Sequence, residues 1–210
     1  MKTWFALSIR FYVVLAITAI FRSIVTLNAT VYVDNSTALQ EQISSCINEC
    51  SITVSSNITF PTPSYPLGIS KGTRVNITGL SDNIHIISGC AMFTVNESAA
   101  LRLENLLLSC EHVYDVNGND MSELVSMITL NDEASLTVVN STMSGGGAIQ
   151  GSAIMAYDSE VEIRNCQFDS NYAILFKDLL HSGTGGAISL HNSTMTVSVS
   201  NFTGKILKYI

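Results

Sequence analysis

This chain has little charge. Only 13% of its 210 residues are charged, and bases are the scarcer sign, 10 Lys and Arg against 17 Asp and Glu. Lys2, Arg10 and Arg22 fall in the first 29 residues, which hold no acid, so the remainder carries seven bases against 17 acids, a net charge of −10. Such a surface repels phosphate backbones, which argues against nucleic acid as a partner. The apolar stretch near the N-terminus, residues 11–21, has eleven residues, fewer than the roughly twenty a membrane-spanning helix needs. The four histidines, His85, His112, His181 and His191, stand far apart, so no zinc site is expected. Gly145-Gly146-Gly147 lacks a following Lys-Ser/Thr and is no phosphate cradle. The three prolines, Pro61, Pro63 and Pro66, mark one loop rather than a domain linker. No aromatic platform is evident.

What is present at the N-terminus is a targeting pattern. Residues 1–29 combine bases, a short apolar run and a small residue, Ala29, before Thr30, which predicts a signal peptide followed by one domain over residues 30–210. Eight Asn-x-Ser/Thr sequons, at Asn28, Asn35, Asn57, Asn76, Asn96, Asn140, Asn192 and Asn201, fit a eukaryotic secretory glycoprotein. The expected glycan carriers are Asn35, Asn57, Asn76, Asn96, Asn192 and Asn201. In an oxidising compartment the five cysteines become disulfide candidates. Cys46 and Cys50 sit four apart and can close a short loop, Cys90 and Cys110 flank one repeat, and Cys166 is left over, as a buried thiol or bonded to a partner outside these 210 residues.

The apolar pattern changes period along the chain. Leu39, Ile43 and Ile47 recur every four residues after Thr37-Ala38-Leu39-Gln40, which has capping-box spacing, and predict a capping helix over residues 38–47. From Ile52 onward the period is two, which predicts strands with alternate residues facing inward. The strands then recur as a repeat. Residues 185–202 match residues 151–168 position by position, and earlier copies begin at Phe93 and Ile128, giving spacings of 35, 26 and 34 residues. Each copy holds a first strand (93–95, 128–130, 154–156, 188–190), a second (101–105, 136–140, 161–165, 195–199), and a further apolar position at Leu108, Met143, Phe168 and Phe202. A unit that cannot bury its apolar face alone must stack on its neighbours, so the expected fold is an all-β solenoid, a right-handed parallel β-helix with a short N-terminal capping helix. Asn105, Asn140 and Asn165 occupy one repeat position on what the alternation makes the inward phase, and predict a stacked asparagine ladder. An inward Asn140 is expected to be unmodified despite its sequon.

Gly146-Gly147-Ala148-Ile149, Gly185-Gly186-Ala187-Ile188 and Phe168-Asp169-Ser170-Asn171 resemble the GGAI and FxxN repeats of polymorphic outer-membrane proteins, which are adhesin-like right-handed parallel β-helices. More broadly, residues 30–202 resemble the pectin-lyase-like superfamily. The last copy departs from the pattern, with Phe202-Thr203-Gly204-Lys205 in place of FxxN, and no barrel-like segment follows, so the autotransporter mechanism is not carried over.

Polysaccharide lyases and hydrolases of this superfamily work through grouped acids. Asp115, Asp120 and Glu123 in one loop, with Asp132 and Glu133 in a nearby turn, are the candidate acids, and they lack an adjacent base. The loop is also a weak candidate for calcium, without the spacing of a dedicated site. The sequence therefore implies no catalytic residue, cofactor or metal. It implies a secreted or cell-surface glycosylated β-helix acting as a structural and adhesive module, with carbohydrate or a cell-surface protein as partner. The competing reading is a carbohydrate-active lyase or hydrolase. The eight residues after Phe202 are too few for a cap, so further coils, from a C-terminal continuation or another chain, are expected to cover that end.

Overall fold

The computed structural model describes residues 30–60, 66–81, 84–88, 91–110, 125–148, 150–175, 186–203 and 207–209. The proposed signal peptide lies outside them. The described chain is all-β apart from one short helix, and every strand pairing is parallel.

Four sheets carry the strands. The long sheet stacks Val31–Val33, Glu49–Val54, Arg74–Gly79, Ala100–Glu104, Ser135–Val139, Glu160–Arg164 and Thr194–Ser198 in chain order. A second sheet stacks Leu67–Ile69, Phe93–Val95, Ile128–Leu130, Ile154–Tyr157 and Ile188–His191. A third stacks Ile58–Thr59, Ile84–Ser88, Leu106–Cys110, Thr142–Ser144, Gln167–Asp169 and Asn201–Thr203. A small fourth sheet holds Gly147–Ala148, Tyr172–Leu175 and Leu207–Tyr209. The chain visits second, long and third sheets in turn, so each strand lies beside its counterpart from the next circuit rather than beside its sequence neighbour.

The register is the one the repeat predicts. Phe93, Ile128, Ile154 and Ile188 align in the second sheet. Leu101, Leu136, Val161 and Met195 align in the long sheet, and Leu108, Met143, Phe168 and Phe202 in the third. These columns are the core: side chains at alternate positions point inward from three directions and meet their equivalents from the strands above and below. Burying each such aliphatic side chain contributes about 1.5–3 kcal/mol. The Phe168 and Phe202 rings stack at 4.6 Å between centroids. At the last long-sheet strand the columns meet solvent: Met195 and Val197 are 40% and 38% exposed, where Val161 and Ile163 below them are buried.

The helix runs Ser36–Ser45, two residues earlier than the capping box implies. Asn35 is its N-cap, in extended backbone at φ −150°, and its side chain accepts from the Ala38 N–H at 2.9 Å. The apolar stripe stops at Ile43: Ile47 is 84% exposed, and Cys46 takes the next inward place. A disulfide joins Cys46 to Cys50, with Cα atoms 5.9 Å apart, and ties the helix end to the following long-sheet strand. The helix packs on the edge strand of the second sheet and the first two strands of the long sheet.

The corners correct the inward placement of the asparagines. Asn105, Asn140 and Asn165 end the long-sheet strands with φ of 56°, 47° and 51°, a left-handed turn that swings the side chain away from the core. Asn105 is half-buried, and Asn140 and Asn165 are exposed. Strict alternation extended one residue too far: the strand ends before the asparagine, which turns the chain into the third sheet. Asn tolerates this backbone better than most residues with a Cβ, because its short polar side chain can hydrogen-bond locally. A second corner column, Ser98, Glu133, Asp158 and Asn192, is left-handed in the same way between the second and long sheets.

A left-handed corner leaves the next residue's backbone outside the strand ladder, and a small polar side chain repairs it. Ser141 Oγ donates to the Val139 carbonyl at 2.7 Å and accepts from the Leu106 N–H of the preceding circuit at 3.2 Å. Ser200 does the same, donating to the Ser198 carbonyl at 2.8 Å and accepting from the Cys166 N–H at 3.0 Å. Cys166 sits between them in this column. Its thiol lies 3.1 Å from the Arg164 carbonyl and 3.4 Å from that of Val138, and it is free and buried. The leftover cysteine is thus a thiol in a place built for a hydroxyl.

Candidate functional site

The outer face of the second sheet carries one row of side chains in register: Gly68, Thr94, Thr129, Met155 and Ser189. Their neighbours on either side point into the core, so alternation alone places this row outward. A cleft of about 500 Å³ opens over it, bounded by Thr94, Thr129, Met155, Ser126, Gln150 and Tyr157. Ser126 is buried, and its hydroxyl donates to the Gln150 carbonyl at 3.1 Å, which joins two walls of the cleft. Tyr157 is 38% exposed. Its ring stacks on His191, with centroids 5.1 Å apart and planes 20° from parallel. The lining is largely apolar, with hydroxyl and amide groups spaced along it, which suits a ligand with one apolar face and a polar edge.

Tyr157 and His191 form an aromatic platform that residue counting does not reveal. They pair because the second-sheet register sets Tyr157 against His191. The signal was available in the 34-residue offset, read one position past the shared apolar triplet.

The grouped acids divide. Asp115, Asp120 and Glu123 lie outside the described residues. Asp132 and Glu133 are exposed at a corner, where the Ser98 hydroxyl donates to Glu133 Oε2 at 3.2 Å. Asp158 and Glu160 follow one circuit on, and Asn192 Nδ2 donates to Asp158 Oδ1. Among the described residues no three His, Cys, Asp or Glu are grouped to hold a metal ion. Of the histidines, His85 is half-buried and His191 exposed, and His112 and His181 lie outside the described residues. No described helix is long and apolar enough to cross a membrane.

The sequon asparagines differ in how their amides are used. Asn35, Asn57, Asn192 and Asn201 are exposed, and Asn76 and Asn96 are half-buried. Asn57 Oδ1 accepts from the His85 N–H at 3.0 Å. Asn96 instead spends its Nδ2, donating to the Ile69 carbonyl at 2.9 Å. Asn140 accepts through Oδ1 from Asn165 Nδ2 at 2.9 Å, so the two asparagines are joined across circuits on the outside of the stack. Asn28 lies outside the described residues. Among the remaining cysteines, Cys110 is disulfide-bonded, and Cys90 lies outside the described residues. Burial pushes the Cys166 thiol up from its ordinary value, against smaller opposing effects of backbone hydrogen bonds at Ser141 and Arg164.

The structure also gives FxxN a physical meaning. Asn171 is 1% exposed; its Nδ2 donates to the Met143 carbonyl at 2.8 Å and its Oδ1 accepts from the Gly146 N–H at 3.0 Å. One side chain thus satisfies both backbone groups flanking the Gly145 corner of the circuit below. A Cβ on Gly146 would stand 2.7 Å from the Ser152 carbonyl oxygen and 2.9 Å from Asn171 Oδ1, so no side chain fits there. The two GGAI tetrapeptides are not equivalent, however. Gly147–Ala148 is a strand of the small sheet beside Tyr172 and Ala173. Gly186 and Ala187 precede a second-sheet strand and accept from Ser152 and Ala153. Identical residues serve two different places in the circuit.

Compared with known protein families, curated proteins and solved structures, the chain matches none.

Proposed function

We propose that the chain is a right-handed parallel β-helix that works as a secreted or cell-surface, N-glycosylated structural and adhesive module, binding carbohydrate along the outer face of its second sheet. The parallel pairing supports that hand, since crossover connections between parallel strands of one sheet are right-handed in about 98% of cases. Secretion rests on the basic and apolar leader together with the sequons.

The observation that carries the binding reading is the cleft in which the exposed Tyr157 ring stands beside Thr94, Thr129 and Gln150. A sugar ring offers an aliphatic face to an aromatic side chain and hydroxyls to neighbouring polar groups, which is the chemistry this lining complements. The parallel stack holds Thr94, Thr129 and Tyr157 on strands, so that part of the surface is fixed before a ligand arrives and little ordering entropy opposes binding there. At the other exposed surface, the edge strand Thr194–Ser198, a further coil is the partner whose geometry fits, because Met195 and Val197 continue the core columns there.

The test is a glycan and polysaccharide binding panel with the wild type and Tyr157→Ala. Binding that weakens about five- to tenfold in the variant, with an unchanged melting temperature, supports the site. No binding across the panel, or equal binding by the variant, overturns it. New reducing ends or unsaturated products in the same incubations would establish the competing lyase or hydrolase reading instead.

A further inference from the structure

We infer that Asn140 is itself a glycan attachment site, its proximal sugar lying in the polar groove beside it; this rests on the secretory reading above. Asn140 begins a sequon with Ser141 and Thr142, and alternation alone would bury it. The structure places it on a left-handed corner at φ 47°, exposed, between Ser135–Val139 and Thr142–Ser144. Its backbone N–H donates to the Arg164 carbonyl at 3.0 Å, so the corner is held in place without help from the side chain.

The orientation of the amide decides the matter. Asn165 Nδ2 donates to Asn140 Oδ1 at 2.9 Å, which engages the oxygen and leaves the Asn140 Nδ2 outside that bond. Nδ2 is the atom that carries a glycan, and Oδ1 keeps its acceptor role after modification, so the hydrogen bond and the sugar are compatible. A groove of about 520 Å³ lies alongside, lined by Thr142, Asn165, Gln167 and Asn201 as well as Asn140, and these donors and acceptors match the hydroxyl and acetamide groups of a first sugar. Asn96 is the contrast: it is half-buried and its Nδ2 holds the Ile69 carbonyl at 2.9 Å. Substituting that nitrogen crowds a contact the fold uses.

In the modification, the anomeric carbon of a lipid diphosphate-linked oligosaccharide bonds to Asn140 Nδ2. The bond from that carbon to the diphosphate oxygen breaks with its electron pair, one Nδ2 proton is released, and the lipid diphosphate leaves. No oxidation or reduction occurs.

The experiment expresses the full chain in a eukaryotic secretory host and maps each sequon by peptide mass spectrometry after enzymatic deglycosylation in heavy-oxygen water. The expected result is occupancy at Asn140 above that at Asn96, abolished by Thr142→Ala with the other sites unchanged. Occupancy elsewhere with an empty Asn140 overturns this inference and leaves the secretory reading standing. Eight empty sequons overturn both. The wild-type map decides the question even if the variant folds poorly.

Discussion

Replacing Asn171 by leucine removes two hydrogen bonds without changing the size of the side chain much. The side chain is 1% exposed and bridges the Met143 carbonyl and the Gly146 N–H at 2.8 and 3.0 Å. Leucine leaves the Gly146 N–H without its acceptor, while the Met143 carbonyl still lies in a strand paired on both sides, so the expected loss is that of about one unsatisfied group, about 1–3 kcal/mol. Against a typical total of about 5–15 kcal/mol that is a large fraction. Asn171→Asp separates the two bonds. The carboxylate still accepts from Gly146 but faces the Met143 carbonyl with no proton to donate, so at neutral pH the loss is at least as large. Acidification restores a donor, and the Asp variant alone should recover stability relative to wild type as pH falls through its carboxyl range. Urea unfolding, followed by far-ultraviolet circular dichroism, measures both effects as midpoint shifts at constant slope. A leucine variant within about 0.5 kcal/mol of wild type would refute the bridging role. So would strict additivity with Gly146→Ala, since both substitutions act on one contact.

Further outcomes follow from the corners and the helix cap. Cys166→Ser should keep the fold and remain within about 1 kcal/mol of wild type, whereas Cys166→Val, which loses the acceptor and donor, should cost about 1–3 kcal/mol by thermal or chemical unfolding. Because burial raises the thiol in the folded state, its contribution is complete below the ordinary thiol range and declines as pH rises through the raised value; Cys166→Ser should abolish that alkaline loss, measured as melting temperature against pH. Val199 holds a left-handed corner at φ 49° while 85% exposed, a conformation that costs a β-branched residue about 1–2 kcal/mol, so Val199→Asn should stabilise by about that amount and an unchanged melting temperature would contradict it. Asn35→Ala removes the acceptor for the Ala38 N–H and should cost about 1 kcal/mol, with loss of helical signal at a lower denaturant concentration than wild type.

Some corner residues were recognisable in the sequence and others were not, for a physical reason. Phe93, Ile128, Ile154 and Ile188 share an environment because they share a register, and the register follows from matching apolar patterns, which is information within each repeat. Asn140 carries no such information. Its repeat position is visible, but whether it faces in or out depends on the backbone turning left-handed one residue before the alternation suggests. Cys166 looked unpaired when cysteines were counted, and is explained only by its place in a column with Ser141 and Ser200. The candidate site was half legible: Thr94 and Thr129 are outward by alternation, whereas Tyr157 and His191 meet only when circuits stack.

By itself the sequence determined the repeated first and second strands, the apolar side chains they turn inward and which of those positions lie above one another. Period-two alternation and a 34-residue self-match are enough for that, because inward-facing aliphatics leave one economical way to bury themselves. The tertiary structure decided what the corners do. It turned the asparagines outward, made Asn171 a clasp for the circuit below, gave the two GGAI tetrapeptides different places and assembled a cleft on the second sheet. Each of these depends on a contact between residues a full circuit apart, and on backbone angles set by that contact, which no local pattern of residues encodes.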